Sequence, residues 1–219
     1  MTRRLAGALV VAFAAVAVVG CTGDSRDGAI TTTTTSSTAP TVRRVLVIGD
    51  SNLFQASPEV DAALRAAGFE PTEHGVPGYG LKDLIAWLDV LPSLLEPDPD
   101  VVVVGLGTND TTRPANIEQF PARLDRMMKE LGGRPVIWIT HVDDRPGAPA
   151  GAGSAINAAV RAAPVRWPNL TILDFAVDIA NDPTIIRADR LHFSEGGRRI
   201  YAERIATAVG ALTRVSGRG

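Results

Sequence analysis

The stretch Val45-Leu46-Val47-Ile48-Gly49-Asp50-Ser51-Asn52 constrains this chain more than any other. Four β-favouring apolar residues in a row, ended by Gly and Asp, read as a strand buried on both faces of a parallel sheet. Such a strand delivers its next residues to the carboxyl edge of the sheet, where open α/β folds place their ligands. Gly49 permits a sharp turn there. Ser51 then stands at the sheet edge and near a helix start, where its hydroxyl can be a nucleophile with backbone N–H groups close by. Taken alone, Gly-Asp-Ser reads more readily as an ordinary turn, and the motif needs partners before it carries chemistry.

The same grammar repeats along the chain. Asp100–Gly105 is the clearest buried strand and ends in Gly107-Thr108-Asn109-Asp110. Phe69–Gly75 is a poorer strand, followed by the glycine-rich loop Gly75-Val76-Pro77-Gly78-Tyr79-Gly80. Pro135–Thr140 and Leu170–Asp174 are the fourth and fifth strands. Helical spacing is expected over Glu59–Ala67, over Leu81–Leu95 with Leu84, Ile85, Leu88 and Leu91 on one side, and over about Asn116–Leu131. Ser154–Ala163 is a further helix, and a last amphipathic helix starts at Ser194 and runs to about Val215. His141–Gly153, rich in Gly, Pro and Ala, is expected to be a mobile loop, and Asp174–Arg187 to be irregular. Strands alternating with helices imply an α/β fold: three α/β/α layers around a mostly parallel five-stranded sheet.

Residues 1–20 read as a secretory signal, with Arg3 and Arg4 ahead of the apolar run Leu5–Val19. The ending Val18-Val19-Gly20-Cys21 resembles a bacterial lipobox, which implies lipidation at Cys21, the only cysteine of the chain, and anchoring to the outer face of a membrane in the cell envelope. An uncleaved anchor or a plain signal peptide is the alternative. Residues 21–41, with Thr31–Thr35, Ser36, Ser37 and Thr38, have too little apolar bulk for a core and read as a flexible linker. A catalytic head over 42–219 completes the organisation. With the leader's two arginines removed, 20 basic residues face 24 acidic ones, which argues against a nucleic-acid partner. One cysteine excludes an internal disulfide and CxxC chemistry. No metal or other cofactor is expected; Asp143 and Asp144 read as solvated acids in a Gly/Pro loop.

Four short signals thus occur in order: Gly49-Asp50-Ser51, the loop with Gly78, Gly107-Thr108-Asn109-Asp110, and Asp189-Arg190-Leu191-His192-Phe193-Ser194. Together they resemble the blocks of the SGNH (GDSL-type) hydrolase superfamily over nearly all of 42–215. The resemblance implies a flavodoxin-like strand order and a serine hydrolase. Its catalytic residues would be Ser51, Asp189 and His192, and its oxyanion hole the N–H groups of Ser51 and Gly78 with the Asn109 amide. The chemistry is consistent with those roles. Ser51 needs a base, imidazole titrates near neutrality, and an acid three residues earlier can hold its other nitrogen. After Gly78 the family often has a small hydroxyl residue two positions on, whereas this chain has Tyr79-Gly80. Tyr79 is therefore a candidate wall of the substrate pocket, and Asp110 and His141 are further candidate substrate contacts. An oxygen ester of an envelope carbohydrate or lipid is the expected substrate. A lysophospholipase or thioesterase, an acyltransferase, and a non-catalytic envelope-binding lipoprotein are the alternatives.

Overall fold

Residues 43–216 are described by the computed structural model; the expected signal (1–20), the linker (21–41) and Cys21 lie outside the described residues. Five parallel strands form the sheet: β1 (Arg43–Gly49), β2 (Phe69–Gly75), β3 (Val101–Gly105), β4 (Val136–Ile139) and β5 (Leu170–Leu173). Their order is β2-β1-β3-β4-β5. The direction of winding reverses between β1 and β3, so a crevice opens beyond the carboxyl ends of those two strands. Ser51 follows β1 and Asn109 follows β3, one on each side of it.

The period of two along each strand divides the core. Val45, Val47, Val101, Val103, Ile137 and Ile139 face one layer, with Leu53, Val60 and Leu64 of α1 (Ser51–Ala66), Phe175 and Ile179 of α5 (Phe175–Asn181), and Tyr201, Ile205 and Val209 of α6 (Glu195–Ser216). Leu46, Ile48, Val102, Val104, Val136 and Trp138 face the other. There they meet Trp87 and Leu91 of α2 (Leu84–Leu95), Phe120, Leu124 and Met128 of α3 (Pro114–Leu131), and Ile156 and Val160 of α4 (Ala152–Ala162). Burial on both faces explains why the strands read as unbroken apolar runs.

Three helices differ from the sequence expectation. α1 begins at Ser51, not Glu59, because the Asp50 carboxylate caps it by accepting from Asn52 N at 2.8 Å, and Pro58 is tolerated on its exposed side. In α2 the core-facing stripe is Leu84, Trp87, Leu88 and Leu91, at i, i+3, i+4 and i+7, with Trp87 and Leu91 fully buried, while Ile85 lies 79% exposed. One residue's 100° rotation takes Ile85 off that stripe. The stretch from Asp174 is not irregular throughout, since Phe175–Asn181 is α5 and Pro183–Ile185 a 3-10 turn. Its start is held from a distance: Thr140 Oγ1 donates to Asp174 Oδ1 at 2.7 Å and accepts from Ala176 N at 3.0 Å. No helix among the described residues is long and apolar enough to cross a membrane.

Candidate active site

Ser51 is the first residue of α1, half-buried, with its backbone N–H among those a helix start leaves unpaired. Its Oγ lies 3.1 Å from His192 Nε2. His192 Nδ1 lies 2.9 Å from Asp189 Oδ2. An ionised carboxylate only accepts, so Nδ1 carries the imidazole proton and Nε2 accepts from the Ser51 hydroxyl. Asp189 Oδ1 meanwhile accepts from Leu191 N at 3.0 Å and His192 N at 2.9 Å. The His192 N–H leads the bonds that pull the Asp189 carboxyl down to about 2, so it is ionised at neutral pH.

The loop carrying these residues is a small hairpin. Arg187 N donates to His192 O at 2.8 Å, Ser194 N donates to Ile185 O at 2.8 Å, and Ile186 bridges to Phe193. Phe193 anchors it by packing against Phe175 and Tyr201, with ring centroids 5.4 and 4.8 Å away. Asn52 ties the loop to α1: its Nδ2 donates to Leu191 O and its Oδ1 accepts from Phe193 N, both at 3.2 Å. Sequence reasoning had given Asn52 no role. Its only signal was a buried amide position directly after Ser51.

Gly78 follows β2 in an exposed turn with φ +81°. An added Cβ would meet nothing within 4 Å, so the glycine serves the left-handed backbone and not a crowded space. Asn109 sits in the 3-10 turn Thr108–Thr112 that follows β3. Its Nδ2 donates to Tyr79 O at 2.9 Å and makes a long 3.4 Å contact with Asp50 Oδ2. Arg145 Nη1 donates to Asn109 Oδ1 at 3.1 Å. Ser51, His192 and Asp189 form one hydrogen-bonded relay, Asn109 connects to its loop through Asp50 and Asn52, and the Asn109 amide donates to the carbonyl of Tyr79, the residue after Gly78.

Two of the other expected contacts, Asp110 and His141, require correction. Asp110 is fully buried and accepts from Leu81 N at 2.8 Å and Lys82 N at 2.6 Å, so it braces the loop after β2 and is closed to a substrate. A Cβ on Gly80 would run into that carboxylate. His141 is nine-tenths buried; Nδ1 donates to Val142 O at 2.9 Å and Nε2 has no partner. It is walled in behind the site and presents no ring nitrogen to a substrate, and burial holds it neutral, with its pKa down to about 4. The Tyr79 ring is half-buried, edge-on to Trp87 at 5.9 Å, and it is the Tyr79 carbonyl that meets the site. Burial raises the Asp50 carboxyl to about 6, against bonds from Asn52 and Thr108 that favour its charge. Among the described residues no group of three or more His, Cys, Asp or Glu side chains could hold a metal ion.

A model described as the GDSL-like lipase/acylhydrolase family matches residues 47–200, a span holding every residue of this network. No curated protein matches the chain. Among solved structures the fold is similar to a lipase/acylhydrolase from Enterococcus faecalis, at TM-score 0.68 and 23% identity over 78% of this chain and 97% of that one. It is also similar to the C-terminal catalytic domain of peptidoglycan O-acetyltransferase A from Streptococcus pneumoniae, at TM-score 0.63 and 23% identity over 79% and 96%. A catalytic mutant of an acetylxylan esterase from Geobacillus stearothermophilus matches at TM-score 0.59 and 16% identity over 77% and 94%. At these identities the structures speak to the fold.

Proposed function

This chain belongs to the GDSL-like lipase/acylhydrolase family, an SGNH-type hydrolase, and on that premise we propose that it is a serine esterase that deacylates short-acyl esters of cell-envelope glycans or glycolipids. The observation that carries this reading is the unbroken relay from Ser51 Oγ through His192 to Asp189, at 3.1 and 2.9 Å.

In this mechanism His192 Nε2 takes the Ser51 proton as Oγ attacks the ester carbonyl. Asp189, ionised and fixed by two backbone N–H groups, holds the imidazole and stabilises the imidazolium. Charge gathers on the carbonyl oxygen, which the N–H groups of Ser51 and Gly78 and the Asn109 amide receive. One Asn109 N–H is engaged by Tyr79 O; the other, held only by the 3.4 Å contact to Asp50, turns to the oxyanion. The imidazolium then protonates the leaving alcohol. Water, deprotonated by His192, attacks the acyl-Ser51, and Oγ recovers its proton as the acid leaves. Each half-reaction thus returns its proton through one imidazole.

A half-buried Ser51 and an exposed Gly78 support an open site suited to a bulky alcohol half and a small acyl group. Lipidation at Cys21 would hold that site at the outer face of the cell membrane, and a Cys21→Ser chain is expected to move from the membrane fraction to the soluble one. The decisive experiment treats cell-envelope extracts with wild type and Ser51→Ala and identifies the released acid by mass spectrometry. Acetate or another short acid is expected from wild type only, together with fluorophosphonate labelling that Ser51→Ala abolishes. Release of long-chain acids alone would overturn the substrate, and labelling that survives Ser51→Ala would overturn the nucleophile. Acyl transfer to an added alcohol in preference to water would identify an acyltransferase.

A further inference from the structure

The residues between β4 and α4 belong to none of the four sequence signals, yet one of them reaches the centre of the site. Arg145 Nη1 donates to Thr108 O at 2.8 Å and to Asn109 Oδ1 at 3.1 Å, two acceptors on the turn that presents Asn109. At the other end of the amide, Nδ2 donates to Tyr79 O and faces the Asp50 carboxylate. Exchanging the oxygen and nitrogen of Asn109 would set NH2 against a guanidinium and oxygen against a carbonyl and a carboxylate. Every contact would then be repulsive, so the amide has one orientation.

We propose that Arg145 is a positioning residue for the oxyanion hole, fixing the Asn109 amide so that one N–H stays on Tyr79 O and the other is left for the reacting carbonyl. The proposal rests on the esterase reading, in which Asn109 is an oxyanion donor. Arg145 suits the task because its guanidinium is planar and one of its nitrogens can serve two acceptors. The cationic guanidinium beside Asn109 Oδ1 also polarises the amide, which strengthens the opposite N–H as a donor. Lysine would supply the charge without the fixed fork. Both acceptors of Arg145 are neutral oxygens on the turn that carries Asn109, whereas the neighbouring Asp144 is paired with Arg190.

A double-mutant cycle tests this. Arg145→Ala is expected to lower kcat for p-nitrophenyl acetate by about 10- to 100-fold, with KM nearly unchanged, because the loss falls on the transition state. Arg145→Lys is expected to recover part of it. In an Asn109→Ala background, Arg145→Ala should change kcat by less than about twofold, since the group it positions is gone. Independent, multiplying effects would overturn the proposal, and so would a wild-type kcat in Arg145→Ala. A readout that needs no turnover is the Asn109 side-chain amide signal in 15N spectra, identified by its loss in Asn109→Ala. Arg145→Ala should move it toward free amide values, and an unmoved signal would count against the clamp. A rate indifferent to Asn109→Ala alone would take Asn109 out of the oxyanion hole and overturn the proposal, whereas loss of all activity-based labelling at Ser51 would remove the esterase reading beneath it.

Discussion

Asn52 grips the peptide groups on either side of His192, donating to Leu191 O and accepting from Phe193 N, each at 3.2 Å. The residue after the nucleophile therefore sets the height and tilt of the base. Replacement by Leu keeps the branched outline but leaves a buried N–H and a carbonyl unpaired, at a cost of about 1–3 kcal/mol. Asn52→Leu is expected to unfold earlier in a thermal melt and to lose about 10- to 100-fold in kcat as His192 drifts from Ser51. Asn52→Asp, which keeps the acceptor for Phe193 N, should fall between. A kcat equal to wild type in Asn52→Leu would show that the Asp189 contacts suffice to place the imidazole.

Asp189 differs from a fully buried triad acid in that its side chain is 45% exposed. Water shares in stabilising the imidazolium, so the carboxylate contributes less than it would in a dry site. Asp189→Asn can keep an oxygen for the two backbone N–H groups of Leu191 and His192, but it then sets its NH2 against Nδ1 and favours the wrong imidazole tautomer. The expected fall in kcat is about 10²–10³-fold, below the ~10⁴ of a buried triad aspartate. Steady-state kinetics on p-nitrophenyl acetate measure it, and a loss under tenfold would mean that His192 is oriented by Asn52 and the hairpin alone.

Gly78 has open space around its Cβ position but a φ of +81°. Gly78→Ala therefore meets strain and not collision, costing about 1–2 kcal/mol if the backbone stays. Exposed backbone relieves strain by moving, and here the moving group is an N–H expected to face the oxyanion. The variant should retain nearly full thermal stability and lose about tenfold or more in kcat. Unchanged kcat with a clear drop in melting temperature would mean that the turn holds its shape and bears the strain.

Much of this architecture was legible because burial on both faces writes parallel strands as unbroken apolar runs, as in Val45–Ile48 and Val101–Val104. Strand ends then located Ser51 and Asn109, since each stands directly beyond a run and its glycine. What escaped depends on partners distant in sequence. The start of α5 is held by Thr140, more than thirty residues upstream. Asp110 looks like a site carboxylate until Leu81 and Lys82 are seen to claim both of its oxygens. Arg145 sits in a Gly/Pro stretch whose composition reads only as loop, and its meaning comes from the turn it reaches.

Asp110 and His141, both buried, should imprint opposite slopes on stability against pH. Burial raises the Asp110 carboxyl from 3.8 to about 6, so between those values the folded state keeps a proton that the unfolded chain has released. That group makes stability fall as pH rises from about 4 to 6, by on the order of 2–3 kcal/mol. Burial lowers the His141 imidazole from 6.5 to about 4, so over nearly the same window the unfolded chain holds the extra proton and stability rises with pH. Asp110→Asn should therefore gain on wild type as pH climbs from 4 to 6, whatever its fixed cost in lost hydrogen bonds. His141→Gln should lose ground on wild type over the same range, its relative stability greatest at the acid end. Urea denaturation at pH 4.5, 5.5 and 6.5 reads both differences, and because constant costs cancel in the slope, parallel curves for either variant would show that its group titrates alike in the two states.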